Sequence, residues 1–283
     1  MYIWRKQVTS DWLRLRSEGL NARFGAALAI VEQPGKRQIA LQVSCPTARQ
    51  ARSLVLEFGG QAEKLPRDWL RDFAKRAQTK PLRIGSRLIV RSAPEQTEPA
   101  RGARTIIIPA EAAFGTGEHA TTAMCLRLLE RQMRRRPSGW SMLDAGTGSG
   151  ILAIAGRCLG AARVLAIDND PMACAIAKRN AHANGVRHIE FQTGDVLKLK
   201  PAQKFDVITA NLFSEILIAA LPGWSKHLAR GGFLILSGIL RTQEKAVVFA
   251  LRRNGFALQE ARRRGKWVAL LADRRTAQRA VPT

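Results

Sequence analysis

The hydrophobic positions alternate between two rhythms along the chain, and the rhythm changes partway. Over residues 1–65 the pattern reads strand, helix, hairpin, helix, strand. Tyr2–Val8 alternates like a strand, and Ser10–Leu20 reads as a helix opened by a Ser N-cap. Ala27–Val31 and Gln38–Val43 flank the turn Gln33-Pro34-Gly35-Lys36, which has hairpin chemistry. Thr47 caps a second helix with Ala51, Leu54, Val55 and Phe58 on one face, and Gly59-Gly60 stops it. That order is the ferredoxin-like pattern of a small α+β domain. Residues 66–103 read as a connector, with Asp68-Trp69 on a helix, Pro81, a strand at Arg87–Val90, then Pro94 and Pro99. Arg104–Pro109 begins the next apolar run.

From about residue 120 apolar strands alternate with helical patterns, the signature of a parallel sheet with crossover helices. Strands are expected at Ser141–Leu143, Arg163–Ile167, His188–Phe191, Asp206–Ala210 and Gly232–Leu236, followed by a pair at Phe256–Leu258 and Trp267–Leu270. Residues 104–273 therefore form an α/β domain, and 274–283 a basic tail.

Composition changes the picture in one respect. Of 283 residues, 46 are Lys or Arg and 22 are Asp or Glu, a net charge of +24. The excess is spread out: +8 over residues 1–80, +5 over 81–140, +8 over 141–273 and +3 over the tail. Such a field attracts RNA or an RNA-rich particle, so an rRNA contact is expected, although charge alone specifies no reaction. Cys45, Cys125, Cys158 and Cys174 lie far apart, which argues against a metal knuckle and against a disulfide scaffold. Neither a signal peptide nor a run approaching the ~20 apolar residues of a membrane span is visible. The expectation is a cytoplasmic monomer without a metal.

The densest chemistry is Leu143-Asp144-Ala145-Gly146-Thr147-Gly148-Ser149-Gly150 between a strand and a helix. Glycines let a ligand approach the backbone, and the helix N-terminus behind them favours an anionic group. The dinucleotide spacing is not met, because position 151 is Ile, and the Lys-Ser/Thr of a Walker loop is missing. D-x-G-x-G-x-G instead resembles the first motif of class I S-adenosylmethionine methyltransferases. Asp168 ends the next strand, where a carboxylate can accept from both hydroxyls of a ribose. Gly194-Asp195 would sit beside the adenine. Asn211 falls at the carboxyl end of a further strand, where its amide can meet an amine, or where it merely caps the helix that follows. Ala113–Thr122, with Phe114, His119 and Thr122, makes a polar loop able to fold over a cofactor.

Taken in order, Phe114–Thr122, Asp144–Ile154, Asp168–Pro171, Asn180–Gly185, Ala210–Leu212 and Leu236–Leu240 resemble the PrmA family, methyltransferases of the eleventh large-subunit ribosomal protein. The resemblance covers about residues 104–272. It implies a Rossmann-like domain that uses S-adenosylmethionine to methylate lysine side chains or the α-amine of that ribosomal protein. Cofactor contacts are implied at Thr122, Gly146, Asp168 and Asn211, within the wider candidate set of Phe114, Asp144, Gly148 and Asp195. Asn211 and His119 are the expected catalytic residues, Asn211 orienting the amine and His119 closing the pocket. The resemblance also implies that the ferredoxin-like domain grips the substrate. An RNA methyltransferase and a non-catalytic ribosome-associated protein are the competing readings.

Overall fold

The computed structural model describes residues 2–24, 28–32, 38–64, 81–93, 102–109, 119–134, 136–199, 201 and 203–274. Expectations for Phe114, the 33–36 turn, Asp68-Trp69, the two connector prolines and the tail beyond 274 fall outside those residues. The chain divides into two compact units, 1–75 and 76–283.

In the first unit, β1 (Tyr2–Val8), β2 (Leu28–Glu32), β3 (Ile39–Cys45) and β4 (Gln61–Lys64) form an antiparallel sheet in the order β2-β3-β1-β4. This is the ferredoxin-like arrangement that the pattern of elements predicts. Trp4, Val8, Leu41 and Val43 point inward against Leu20 and Leu54, and Trp4 Nε1 donates to the Gly59 carbonyl (2.7 Å), closing the helix end onto the sheet. One expectation is corrected. The helix read as Ser10–Leu20 is two short helices, α1 (Ser10–Arg14) and α2 (Ser17–Phe24), and Thr9 rather than Ser10 is the cap. Thr9 is extended, so its Oγ1 accepts from the Trp12 amide at the open helix end. The break follows where Arg16 N–H bonds the Leu13 carbonyl, an i→i−3 closure that tightens the chain and leaves Leu15 in solvent. The second helix of this unit, α3 (Ala48–Phe58), starts at Thr47 and stops at Gly59 as read from the sequence.

The second unit opens with β5 (Leu82–Ile84) and β6 (Leu88–Arg91), a hairpin, with β7 (Arg104–Ile107) parallel to β6. Residues 82–91, assigned to the connector by sequence, are thus paired into this unit. Its main sheet contains β8 (Ser141–Ala145), β9 (Arg163–Asp168), β10 (Ile189–Thr193), β11 (Phe205–Asn211), β12 (Leu228–Leu240), β13 (Phe256–Arg264) and β14 (Trp267–Arg274), in the order β10-β9-β8-β11-β12-β14-β13. β8–β12 run parallel, and β14 is antiparallel to both β12 and β13. The strands are longer than their sequence patterns, because pairing carries them past the apolar centre into polar ends.

Alternation along each strand feeds two cores. Met142, Val164, Val207 and Ile235 face one side with α4 (Ala120–Met133), α5 (Ile151–Cys158) and α6 (Pro171–Ala183). Leu143, Leu165, Ile208 and Leu234 face the other, against α7 (Ser214–His227) and α8 (Glu244–Arg253). This is the expected Rossmann-like α/β class. The chain builds outward from β8 to β10 and then returns to β11 beside β8, which opens the crevice where such sheets bind ligands. Among the described residues no helix is long and apolar enough to cross a membrane.

Candidate functional site

The glycine turn between β8 and α5 is held from the neighbouring strand. Gly146 and Thr147 both donate their amides to the Ile167 carbonyl (2.8 and 3.0 Å), and Gly150 begins the helix at φ 80°. Beneath it Asp144 is 1% exposed, with Thr147 Oγ1 donating to one carboxylate oxygen (2.7 Å) and Thr209 Oγ1 to the other (2.6 Å). Burial pushes its pKa up to about 6, against the hydrogen bonds of Thr209, Thr147 and the Ala153 backbone. Both oxygens are committed inside the protein. Asp144 therefore shapes the turn from within the protein.

Asp168 stands at the end of the adjacent strand and is half-buried. Its Oδ2 accepts from the Gly148 amide (2.9 Å) and its Oδ1 from the Asp170 amide (3.1 Å). Two backbone donors fix the carboxylate while each oxygen keeps a free lone pair. Gly148 is thereby brought to Asp168, as the sequence reading grouped them. Gly194 N–H bonds the Asp168 carbonyl (2.8 Å), which sets the Asp195 turn next to it. Asp195 itself is exposed, accepts from the Leu197 amide (2.9 Å) and lines a cavity of about 490 Å³ with Ile167, Gln192 and Lys198.

On the far side of the turn, Asn211 ends β11 and donates from Nδ2 to Thr122 Oγ1 (3.3 Å), leaving the amide oxygen available as an acceptor. It does not cap α7, whose N-cap is Phe213 with no side-chain bond. Thr122 is buried in the first turn of α4. His119 immediately precedes that helix; its Nδ1 is 2.8 Å from Thr121 Oγ1 and its ring meets Trp267 edge-on at 5.1 Å. Burial, and after it the charge of Lys266, hold the imidazole below its ordinary value. Neutral near pH 7, His119 adds no positive charge at this rim.

The sequence reading missed several residues that build this edge. A Cβ on Gly146 would lie 2.3 Å from Leu212 Cδ2, and one on Gly238 would lie 2.3 Å from the Leu212 carbonyl oxygen. Leu212 is thus clamped between two glycines at φ 75° and 84°, which fixes Asn211 beside it. Asn180 Nδ2 donates to the Ser149 carbonyl (2.8 Å), tying the turn to α6, while Asn184 bonds both the amide and the carbonyl of Ile107 (2.7 Å each). These contacts explain why Asn180–Gly185 and Leu236–Leu240 carry a pattern. Thr209 is signalled only as one polar residue inside an apolar strand, and Trp267 only as the first residue of β14.

The profile of the ribosomal protein L11 methyltransferase (PrmA) family matches residues 47–275. A ribosomal protein L11 methyltransferase of Pelotomaculum thermopropionicum is 41% identical over 206 residues, 72% of this chain and 65% of that protein. One from Desulforapulum autotrophicum is 42% identical over 192 residues, 68% of this chain and 62% of its own length. The chain thus spans slightly less than two thirds of these relatives. The crystal structure of a ribosomal protein L11 methylase from Lactobacillus delbrueckii subsp. bulgaricus superimposes with a TM-score of 0.64 at 33% identity, over 70% of this chain and all of that one.

Proposed function

The chain belongs to the ribosomal protein L11 methyltransferase (PrmA) family, and from that premise we propose that it methylates amines of the eleventh large-subunit ribosomal protein with S-adenosylmethionine as donor. One observation carries the reading: Asn211 and Thr122 are bonded to each other on the same sheet edge as the backbone-anchored carboxylate of Asp168. The donor set fits the group. Asp168 offers acceptor positions for a vicinal diol, and Asp195, next to it in the fold, offers one for an exocyclic amine. When bound, the cofactor supplies a methyl group on a sulfonium.

What the protein must add is alignment and a neutral amine. Positioning alone can contribute on the order of 7–11 kcal/mol to such a displacement. A lysine ammonium has no lone pair and must lose its proton, which desolvation beside a cation favours. The amide oxygen of Asn211, held by the Thr122 bond, orients the amine, and neutral His119 packed on Trp267 walls the site without opposing charge. Gripping of the ribosomal protein is assigned to the ferredoxin-like unit.

We place the protein in the cytoplasm as a monomer; its four free cysteines suit a reducing compartment. The test is labelled S-adenosylmethionine with the purified ribosomal protein and with large subunits, comparing parent and Asn211→Ala. Ribonuclease-resistant label on that one protein, lost in the variant while cofactor binding persists, is the expected result. Label on RNA, or unchanged turnover in the variant, would overturn the reading.

A further inference from the structure

The edge strand β13 carries Arg262, Arg263 and Arg264 in succession, so the pleat sends Arg263 to one face and its neighbours to the other. Arg262 and Arg264 stand beside Arg127 and Arg131 of α4. Glu260 bonds Arg262 (2.8 Å) and also Arg131, while among the described residues no carboxylate pairs with Arg127 or Arg264. Burial, then the charges of Arg264 and Arg262, push the Arg127 guanidinium below its ordinary range. Crowded cations work against the compact state, and a polyanion relieves them.

On the opposite face a groove of about 560 Å³ runs between α8 and β13. Its apolar floor is Val248, Phe249 and Leu258; Arg241, Lys245, Arg252 and Arg263 surround it. The only carboxylate in its lining, Glu244, is held by Arg263. Phe249 is 62% exposed, with the Arg253 guanidinium 5.8 Å from its ring centre. Among the described residues Arg241, Lys245 and Arg252 enter no ion pair.

We propose that this groove, together with the arginine edge of β13, is a binding site for single-stranded RNA. Phe249 stacks on an unpaired base while Arg241, Lys245 and Arg252 contact phosphates. An acidic peptide would satisfy the cations but leave the Phe249 face in water. A second copy of the chain would bring like charges together. Single-stranded RNA, with flat aromatic faces and regularly spaced anions, uses both features. The site is separate from the crevice holding Asp168 and Asn211, so binding is measured without methyl transfer.

The full chain is titrated into a labelled single strand of about 20 nucleotides, followed by anisotropy at several salt concentrations. Phe249→Ala should weaken binding about tenfold with the salt slope unchanged, and Phe249→Tyr should restore it. Lys245→Gln with Arg252→Gln should lower the slope by about 1.4, near 0.7 for each lost phosphate contact. The distant pair Lys178→Gln and Arg187→Gln should change affinity by less than about twofold. Equal weakening by the distant pair, or no loss with Phe249→Ala, would overturn the proposal. So would a polyglutamate peptide that competes equally and shows the same sensitivity to Phe249.

Discussion

Two layers of the same sheet edge do different jobs, and Asp144 and Asp168 mark them. They lie at the carboxyl ends of neighbouring parallel strands, Asp144 one residue before the end of β8 and Asp168 ending β9, and both belong to the motifs that resemble the family. Asp144 lies within the protein with both oxygens taken by threonine hydroxyls. Asp168 is half-exposed and takes only backbone amides, which fix it without exhausting it. The lower layer, with Leu212, Gly146 and Gly238, is a frame. In the proposed function the upper layer presents Asn211, held by the buried Thr122 hydroxyl, with His119 at its rim. Substitutions in the first should register in stability, and those in the second in binding and turnover.

The largest effect belongs to Gly238→Ala. The residue sits at φ 84° and its new Cβ would lie 2.3 Å from a backbone oxygen of Leu212, where no flexible side chain can yield. Strain and overpacking together should cost on the order of 4 kcal/mol, read as a fall in thermal midpoint, and should displace Asn211. A variant as stable as the parent would break the frame assignment.

Next is the pH dependence of the frame. Asp144 rises from 3.8 to about 6 on folding, so the native state holds its proton where the unfolded chain has lost it. Its contribution is full below about pH 4 and is lost as pH climbs through about 6, an amplitude of roughly 3 kcal/mol. Asp144→Asn keeps an acceptor for Thr147 and a donor for Thr209. The difference in unfolding free energy between parent and variant should therefore follow that curve. A flat difference between pH 4 and 7 would show that Asp144 does not titrate with folding.

Asp168→Asn tests the upper layer. One of the two backbone amides loses its acceptor, so stability should fall by only about 1 kcal/mol, while affinity for S-adenosylmethionine falls about tenfold or more. Calorimetry reads both. A large stability loss with intact binding would exchange the two aspartates' roles.

What was legible follows the same division. The strand–helix alternation, the glycine turn and Asp168 could be read because each leaves a local mark: a period, a punctuation, an acid at a strand end. The clamp on Leu212 could not. It joins Gly146 to Gly238 through a residue that resembles any other leucine, and only the registers of β8, β11 and β12 bring the three together. Thr209 and Asn180 stood out by type or motif, but their partners, 65 and 31 residues away, could not be read from the sequence. The α1–α2 break was missed because the i→i−3 closure at Arg16 carries no residue-type mark, and the cap was misplaced because Thr9 and Ser10 are both hydroxyl caps. Backbone direction, which no composition reports, chose between them.

The smallest effect concerns His119, on the presenting layer. Its imidazole is held low first by burial and then by Lys266. A base depressed on folding contributes stability that is full above its unfolded value near 6.5 and is lost as pH falls through the folded value. Lys266→Gln removes the second cause and leaves the ring packed on Trp267. The midpoint, followed by NMR of the ring protons, should move up yet stay below 6.5, because desolvation remains. Trp267→Ala in the same background removes much of that burial and should bring the midpoint nearer to 6.5. A midpoint insensitive to both changes would mean that the His119 environment is set elsewhere. His119 could then no longer be assigned as the uncharged wall on which the presenting layer depends.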